Sequence, residues 1–331
     1  MNNNFFKNKK VVVTGAGGFI GSHLTERLLE LDAHVTAFVH YNCRSFNGWL
    51  EEKAIYHDSL AIVSGDIRDP FQINELLNEA DTVFHLAALI GIPFSYKAPQ
   101  SYLETNLNGT LNILEAAKSR KLRRVIVTST SEVYGTAIKT PMSEKHPLQA
   151  QSPYSASKIA ADMLAYSYAC AFETPVTIVR PFNTFGPRQS ARAVIPTVIE
   201  QALSCKTIKI GDLSPVRDFN FVSDTVEGFI KAAQNGVTGE TYNLATGKGI
   251  TIGEMVEAVA KILNIDCSTE FEEIRKRPPS SEVMCLIGDA SKAAKELDWQ
   301  PKVKFEEGIK KTIEWFENLP KQSSKNYQFK V

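Results

Sequence analysis

Short apolar runs alternate with amphipathic helical stretches through the first half of the chain. The apolar runs predict strands at 10–14, 34–39, 60–65, 82–87, 123–129 and 175–180. The stretches between them predict helices at 18–31, 70–79, 99–119 and 152–173. One face of the predicted helix at 99–119 is expected to be buried, because it carries Leu103, Leu107, Leu111 and Leu114. The alternation is typical of βαβ units and predicts an α/β fold with a doubly wound parallel sheet.

The pattern becomes less regular after Pro181. It predicts helices at 192–204, 223–235, 251–263, 291–297 and 305–318, with strands at 206–210, 218–222, 240–244 and 268–274. No linker rich in Pro, Gly or Ser separates the halves, so the second is expected to pack on the first as a smaller α+β lobe. We predict a first domain at 1–181, a lobe at 182–319 and a polar tail at 320–331. This division leaves open that later segments return to the sheet.

The charge balance favours a small-molecule partner. Lys plus Arg and Asp plus Glu each number 37 among 331 residues, so the formal net charge is zero. Such a chain has no electrostatic attraction to nucleic acid or to an anionic membrane. No run reaches the roughly 18 apolar residues of a spanning helix, and the expected location is the cytoplasm. Five dispersed cysteines without a CxxC pair indicate neither a disulfide framework nor a metal site.

A glycine-rich turn follows the first predicted strand and reads Thr-Gly-Ala-Gly-Gly-Phe-Ile-Gly. Between a strand and a helix, the spacing of Gly15, Gly18 and Gly21 is the dinucleotide-binding form. Its bare backbone lets a pyrophosphate approach the N-terminus of the helix. Phe19 and Ile20 lie in the same turn and are further candidate contacts. We therefore predict a Rossmann-type cofactor site at this turn.

The end of the second strand bears on which dinucleotide binds. Residues 38–44 read Phe-Val-His-Tyr-Asn-Cys-Arg, without the acidic residue that binds a ribose 2′-hydroxyl. Arg44 would suit a 2′-phosphate, so we predict NADP(H) over NAD(H), with a solvated loop arginine as the alternative. Asp66 ends the third strand, where a carboxylate reaches the adenine amine or, alternatively, caps the following turn.

A tyrosine and a lysine share one face of the predicted helix at 152–173. Tyr154 and Lys158 are four residues apart. A lysine ammonium beside a phenol lowers the phenol's pKa, as a proton acceptor working near neutral pH requires. Residues 128–135, Thr-Ser-Thr-Ser-Glu-Val-Tyr-Gly, leave the fifth strand at the edge where doubly wound sheets bind ligands. His85 ends the fourth strand and is expected to be a packed, hydrogen-bonded histidine rather than a base.

The motifs from residue 10 to about residue 318 resemble the extended short-chain dehydrogenase/reductase family of NAD(P)-dependent sugar-nucleotide epimerases and dehydratases. The resemblance rests on the glycine turn, Asp66, His85-Leu86-Ala87-Ala88, Asn106, Thr130, the Tyr154 and Lys158 pair, and Arg180-Pro181-Phe182-Asn183. It implies a tightly held nicotinamide cofactor contacted by Asp66, Ile67, Leu86, Ala87, Ala88, Tyr154, Lys158 and Pro181. It also implies a homodimer formed through the predicted helices at 99–119 and 152–173.

The residues after Thr130 bear on the reaction. Ser131 and Glu132 resemble the Ser-Glu pair of 4,6-dehydratases of the GDP-mannose type, whereas epimerases tend to carry small residues there. UDP-glucuronate decarboxylases share Thr-Ser-Glu, so a decarboxylase and a 4-epimerase stay open as alternatives. So does a glutamate that only caps a loop. A cofactor-binding sensor without catalysis is disfavoured, because it needs none of these side chains.

The dehydratase resemblance implies a role for each residue. Tyr154 takes the O4 proton as hydride leaves C4 for the nicotinamide, and Thr130 hydrogen-bonds the same oxygen. The C4 ketone acidifies the C5 proton, which Glu132 removes while the C6 hydroxyl departs as water. Hydride then returns to C6, and the configuration at C5 is retained. The donor of the leaving group's proton stays open between Glu132 and Ser131.

Substrate contacts are implied on the lobe. Asn183, Arg217 and Arg277 match family positions that hold the sugar diphosphate, and guanidinium groups suit such an anion. An exposed salt-bridge partner is the alternative for either arginine. Val194 and Ile195 match a segment that lies along the nucleotide base.

Three further stretches, 38–44, 48–51 and 149–154, resemble dehydratases that act on nucleotide-activated N-acetylglucosamine for legionaminic-acid-type sugars. UDP and GDP are not separated by the sequence. The partner expected from all of these motifs is a nucleotide-diphosphate sugar.

Overall fold

The computed structural model describes residues 4–51, 57–205 and 207–319, so the predicted tail at 320–331 lies outside the described residues. The strands are β1 (Lys10–Thr14), β2 (His34–His40), β3 (Leu60–Gly65), β4 (Thr82–His85), β5 (Arg124–Thr128), β6 (Val176–Pro181), β7 (Asn183–Phe185), β8 (Thr207–Ile210), β9 (Val216–Arg217), β10 (Phe219–Phe221), β11 (Thr241–Leu244), β12 (Ile250–Thr251), β13 (Ser268–Phe271) and β14 (Cys285–Leu286).

The helices are α1 (Phe19–Glu30), α2 (Pro70–Leu76), α3 (Ile92–Lys97), α4 (Pro99–Tyr102), α5 (Gly109–Arg120), α6 (Pro153–Phe172), α7 (Val194–Ser204), α8 (Val222–Asn235), α9 (Ile252–Leu263) and α10 (Phe305–Glu317). Short 3-10 turns occupy Gly48–Leu50, Ser131–Tyr134, Glu273–Arg275 and Pro279–Ser281. Two π turns occupy Leu103–Asn108 and Ala293–Leu297.

Seven strands form one parallel sheet in the order β11-β6-β5-β4-β1-β2-β3. Its strands are rich in valine and isoleucine because both faces are covered. Along β1, Val11 and Val13 face a core shared with α1 and α8, whereas Val12 faces a core shared with α2, α5 and α6. This arrangement confirms the predicted doubly wound α/β fold.

One of the two edge strands of the sheet, β11, comes from the second half of the chain. β11 pairs with β6, with Thr241 opposite Ile178 and Leu244 opposite Pro181. α8 precedes β11 and packs on β5 and β6. Residues 222–244 therefore return to the sheet, and the lobe is built from the segments around them.

The single helix expected at 99–119 is divided into α4, a π turn and α5. The wider π turn rotates the residues that follow it, so the expected leucine face is not continuous. Leu103 is 43% exposed, while Leu114 is buried. Asn106 and Thr110 turn inward instead, towards the carboxyl end of β4. The expectation of one buried leucine face was therefore wrong at Leu103.

Candidate active site

A large cleft opens at the carboxyl ends of the central strands. It encloses about 2850 Å³ and runs between the sheet and the lobe. β1 and β4 are neighbours from which the strand order departs in opposite directions, and such a switch point is where doubly wound sheets bind ligands. The predicted site residues that line the cleft are Gly15, Gly18, Phe19, Ile20, Gly21, Leu86, Ala87, Ala88, Thr130, Ser131, Glu132, Tyr154, Lys158, Pro181 and Asn183.

The glycine-rich turn offers bare backbone to the cleft. Gly15 has φ +69°, and a Cβ there would lie 2.8 Å from the backbone nitrogen of Ala87. Gly18 is the N-cap of α1, and no side chain caps the first turn of that helix. The backbone donors at this helix end are therefore open to an anion. The turn fits the pyrophosphate of a dinucleotide.

The loop after β4 is fixed by Thr14. Its Oγ1 accepts hydrogen bonds from the backbone nitrogens of Leu86 and Ala87, both at 3.1 Å. His85 lies beneath this loop, with Nδ1 2.9 Å from Thr14 Oγ1 and Nε2 3.1 Å from Thr110 Oγ1. Burial, followed by the charge of Lys158, lowers the pKa of His85 to about 3. His85 is therefore a neutral packed histidine, as predicted.

A loop that sequence reasoning did not assign to the site covers the glycine turn. The backbone nitrogen of Trp49 donates a 3.0 Å hydrogen bond to the carbonyl oxygen of Gly17. The Trp49 ring meets the Trp315 ring of α10 edge-on at 5.3 Å, and both rings line the cleft. Trp49 thus joins the cofactor half to the lobe. A motif of glycine and tryptophan at 48–49 was the only local signal for this contact.

Three predicted cofactor residues, Arg44, Asp66 and Ile67, do not line the cleft. The Arg44 side chain is exposed, and the cleft wall near it is formed by His40, Asn42 and Phe46. Asp66 is paired with Arg68, with Oδ2 2.6 Å from Nη2, and it accepts a hydrogen bond from the backbone of Arg68.

Hydrogen bonding to Arg68 lowers the pKa of Asp66. Asp66 thus caps its turn, which is one of the two roles that the sequence left open, and its contact with the adenine amine stays a prediction. Ile67 is buried in the core, where it packs against Gly109.

The start of α6 places the predicted pair of Tyr154 and Lys158. Ser152 caps this helix, its Oγ accepting a 3.1 Å hydrogen bond from the backbone of Ser155, and Pro153 occupies the first turn. This fixes Tyr154 in the first turn and Lys158 one turn later. Lys158 Nζ donates a 2.6 Å hydrogen bond to the carbonyl oxygen of Thr128, the last residue of β5.

Burial dominates the electrostatics of this pair. It raises the pKa of Tyr154; hydrogen bonding to Thr130 lowers that pKa and the charge of Glu132 raises it. Burial also lowers the pKa of Lys158 to about 8, and the charge of Asp162 opposes the shift. The pKa of Tyr154 is therefore raised rather than lowered as expected, because burial outweighs the hydrogen bond to Thr130.

Glu132 lies in the cleft beside Tyr154. It belongs to the 3-10 turn Ser131–Tyr134, and its backbone nitrogen donates a 3.2 Å hydrogen bond to Thr130 Oγ1. Its half-buried carboxylate is close enough to Tyr154 and to Arg217 to affect the pKa values of both. The Thr130 hydroxyl and the Glu132 carboxylate, which lie two residues apart, therefore both interact with Tyr154.

Arg217 and Arg277 do not line the cleft, and one carboxylate joins the two. Arg217 Nη2 and Arg277 Nη1 lie 3.2 Å and 3.4 Å from the same oxygen, Glu282 Oε1. Arg217 is buried, which lowers its pKa, and the charge of Glu132 raises it. Sequence reasoning missed Glu282, which follows Arg277 by five residues. Asn183 lines the cleft, and its Oδ1 has no hydrogen-bond partner among the described residues.

Val194 and Ile195, which are expected to lie along the nucleotide base, do not line the cleft. Ile195 is 1% exposed and lies in the core, and Val194 packs against the same core. The start of α7 turns these side chains inward, so that Ala191 and Ala193 line the cleft in their place.

Among residues 4–51, 57–205 and 207–319, no cluster of His, Cys, Asp or Glu could hold a metal ion. Over the same described residues, no helix is long and apolar enough to cross a bilayer.

Comparison with known proteins identifies the family. The family model described as GDP-mannose 4,6 dehydratase matches residues 12–312. The UDP-N-acetyl-alpha-D-glucosaminuronate decarboxylase of Bacillus cytotoxicus is 34% identical over 94% of this chain and 98% of its own length. The UDP-glucose 4-epimerase of Mycolicibacterium smegmatis is 34% identical over 93% of this chain and 99% of its own.

A solved structure extends the comparison to the fold. The dTDP-glucose 4,6-dehydratase DesIV of Streptomyces venezuelae, solved with NAD bound, superimposes with a TM-score of 0.84 at 28% identity. The alignment covers 93% of this chain and 97% of that one. These relatives share the fold and differ in reaction. The chain belongs to the GDP-mannose 4,6-dehydratase family, within the extended short-chain dehydrogenases/reductases that act on sugar nucleotides with a nicotinamide cofactor.

Proposed function

We propose that the protein is a nucleotide-sugar 4,6-dehydratase that retains the configuration at C5. The observation that carries this proposal is the position of Glu132, half-buried in the cleft beside Tyr154. Oxidation at C4 needs a base for the hydroxyl proton, and elimination needs a second base one carbon away. Tyr154 and Glu132 supply two such groups from two neighbouring elements.

Each residue has a defined task in this reaction. When bound, the nicotinamide supplies the redox chemistry, oxidising C4 and later reducing C6. Tyr154 accepts the O4 proton. Thr130 hydrogen-bonds both the Tyr154 phenol and the O4 oxygen of the sugar. Glu132 takes the C5 proton once C4 is a ketone. The proton for the departing C6 hydroxyl comes from Glu132, directly or through Ser131.

Lys158 and the glycine turn serve the cofactor in this proposal. The buried ammonium of Lys158 lies at the carboxyl end of β5, where it holds the carbonyl of Thr128 and faces the cleft. The N-terminus of α1 binds the pyrophosphate, with contacts from Phe19, Ile20 and the loop at 86–88.

The proposed substrate is UDP- or GDP-N-acetylglucosamine. Support comes from the loop motifs at 38–44, 48–51 and 149–154 and from the relative whose name places it on an N-acetylated sugar nucleotide. We further propose that Asn183, Arg217 and Arg277 hold the diphosphate. The unpartnered Asn183 oxygen and the two guanidinium groups are suited to sugar hydroxyls and phosphate oxygens.

Product mass tests this function. The purified protein is incubated with UDP-N-acetylglucosamine, GDP-N-acetylglucosamine and UDP-glucuronate in separate reactions, and the products are weighed by mass spectrometry. Loss of one water from an N-acetylglucosamine nucleotide supports the dehydratase. An unchanged mass with altered stereochemistry indicates a 4-epimerase and rejects the proposal.

A decarboxylase is the second candidate. It is favoured by the Ser131-Glu132 pair, which decarboxylases share, and by the 34% identity to the Bacillus cytotoxicus decarboxylase. This reaction also begins with oxidation at C4, so Tyr154 and Thr130 keep their tasks. Loss of carbon dioxide from UDP-glucuronate, with the N-acetylglucosamine nucleotides inert, would replace the dehydratase by this candidate.

For the cofactor, we propose NADP(H) over NAD(H). The support is the β2 end, Phe38-Val39-His40, which lacks a carboxylate, and the nearby charge of Arg44. DesIV was solved with NAD and gives this preference no support. Extraction of the bound cofactor decides the matter. Arg44→Ala should weaken NADP binding and leave NAD binding unchanged, and a native preparation that carries NAD overturns the preference.

For assembly, we propose a homodimer through α5 and α6. Support comes from apolar side chains exposed on the second of these helices, with Met163 48%, Tyr166 51% and Phe172 51% exposed. Light scattering of the purified protein tests it. A dimeric mass that falls to a monomer in Tyr166→Glu supports the proposal, and a monomeric native protein rejects it.

A further inference from the structure

A buried ion pair lies beneath the catalytic turn. Asp162 on α6 is fully buried and Arg180 on β6 is 3% exposed. Asp162 Oδ2 lies 3.0 Å from Arg180 Nε and 2.9 Å from Arg180 Nη2. Burying such a pair costs desolvation free energy that the attraction barely offsets, so stability alone gives little reason for it. Its other contacts indicate what it does.

The carboxylate of the pair holds the residue that precedes the turn. Ser129 Oγ donates a 2.7 Å hydrogen bond to Asp162 Oδ2. The backbone nitrogen of Ser129 donates another, of 2.7 Å, to the carbonyl oxygen of Val179. Ser129 is therefore fixed by its backbone and by its side chain, and Thr130 follows it directly.

The guanidinium of the pair holds the other end of the turn. Arg180 Nη1 donates a 2.9 Å hydrogen bond to the hydroxyl of Tyr134, and its guanidinium carbon lies 4.9 Å from the centre of the Tyr134 ring. The Tyr134 hydroxyl in turn donates a 2.7 Å hydrogen bond to Asn243 Oδ1. Tyr134 is the last residue of the 3-10 turn that carries Glu132.

We infer that the Asp162–Arg180 ion pair positions both ends of the segment 129–134, and thereby sets the distance of Thr130 and Glu132 from Tyr154. Asp162 lies on the same helix as Tyr154, two turns further on. The ion pair therefore fixes the segment 129–134 relative to the helix that carries Tyr154. Ser129 and Tyr134 are positioning residues in this account, because neither touches the reacting atoms.

The hydrogen bonds of the ion pair to Ser129 and to Tyr134 affect different chemical steps; we call these two contacts tethers. The tether through Ser129 positions the adjacent Thr130 and so affects the removal of the O4 proton during oxidation at C4. The tether through Tyr134 adjoins Glu132 and bears on the later removal of the C5 proton. The second assignment rests on the proposed dehydratase function. The first applies to every family reaction that begins with oxidation at C4.

The test compares Ser129→Ala and Tyr134→Phe, each of which removes one hydroxyl, in the full-length protein loaded with cofactor. The controls remove the same group elsewhere in the chain. They are Ser167→Ala, whose hydroxyl bonds Leu164 within its own helix, and Tyr242→Phe, whose hydroxyl bonds Glu296. Four quantities are measured: kcat, KM, the near-ultraviolet absorbance of reduced nicotinamide in a single turnover, and deuterium uptake by residues 128–134.

Ser129→Ala is expected to slow the formation of reduced nicotinamide about tenfold, as a small misplacement of a catalytic group does. Its KM should stay within about twofold of the native value, since only a contact used in the transition state is disturbed. Tyr134→Phe should leave this rate unchanged and allow reduced nicotinamide to accumulate, because the next step is slowed. Both variants should take up deuterium faster at residues 128–134, and the controls should match the native protein throughout.

The inference is overturned if Ser129→Ala oxidises C4 at the native rate. It is also overturned if both variants slow C4 oxidation and the later step by the same factor, and if that factor follows their loss of thermal stability. Failure of the proposed function is distinguishable from both results. A native protein that changes the sugar without losing water rejects the dehydratase, and the Ser129→Ala rate of C4 oxidation still decides whether the ion pair positions the turn.

Discussion

The backbone nitrogen of Trp49 is hydrogen-bonded, at 3.0 Å, to the carbonyl oxygen of Gly17 in the middle of the glycine-rich turn. The loop after β2 therefore rests on the turn that is expected to hold the cofactor pyrophosphate. Gly48 makes this approach possible, since it has φ +67° and a Cβ there would overlap the Gly17 oxygen.

Gly48→Ala is therefore expected to weaken cofactor binding about tenfold, because the loop must move off the turn. Gly239→Ala is the matched control. Gly239 also has a positive φ, of +82°, but a Cβ there would lie 3.5 Å from its nearest neighbour, the Ala169 side chain. Cofactor dissociation constants are measured by tryptophan quenching, alongside the Tm of each variant. Equal cofactor affinities for the two alanine variants would contradict a role of this loop in the site.

The titration of Lys158 gives a prediction for stability. Burial lowers its pKa to about 8 from 10.5, with Tyr154, Asp162 and His85 as the charged or titratable groups around it. Between these two pH values the unfolded chain binds a proton at this lysine that the folded chain does not, so the folded state gains stability as the pH rises.

The free energy of unfolding of the native protein, relative to that of Lys158→Met, should therefore rise by up to about 3 kcal/mol between pH 8 and 10.5. Urea unfolding at a series of pH values measures the difference. Comparison with the variant cancels other groups that titrate in this range. A difference that stays constant with pH, or falls, would contradict a buried ammonium at this position.

The arginine pair predicts an effect on substrate binding. Arg217 and Arg277 share Glu282 in the structure, and a bound diphosphate would take over their donors. Arg217→Ala should raise KM for the nucleotide sugar by roughly tenfold or more, with kcat little changed, since a lost charged hydrogen bond costs about 1.5–3 kcal/mol.

Arg217→Lys should fall between native and alanine, because an ammonium cannot replace a guanidinium fork. Arg120→Ala is the control, since Arg120 lies on α5 and bonds Asn74 and Asn78 away from the cleft. Steady-state kinetics measures both parameters. An unchanged KM with a reduced kcat in Arg217→Ala would place Arg217 in catalysis rather than binding.

Local spacing predicted the parts of the site that are themselves local. The glycine turn, the Tyr154 and Lys158 pair and the Thr130–Glu132 turn are each set by a few consecutive residues at the end of a strand or the start of a helix. Their convergence follows from the parallel sheet, which brings all carboxyl ends to one edge.

The features that sequence reasoning missed depend on contacts between distant residues. The return of β11 to the sheet was only left open, and the glycine and tryptophan at 48–49 did not indicate Trp315 as a partner, because both contacts join segments far apart in the chain. The π turn at Leu103–Asn108 broke the expected leucine face, because one additional residue in a turn rotates everything after it. Ile195 was expected at the cleft, but it lies on the buried face of α7 and packs in the core.

The central claim is that Glu132 removes the C5 proton after Tyr154 has assisted oxidation at C4. Glu132→Gln keeps the size and the hydrogen-bonding turn but removes the base, and its reaction is followed by mass spectrometry of the sugar nucleotide and absorbance of the reduced nicotinamide. The account predicts that the native protein releases a product one water lighter, while Glu132→Gln reduces the cofactor and releases no dehydrated sugar. Loss of water by Glu132→Gln at the native rate would contradict it.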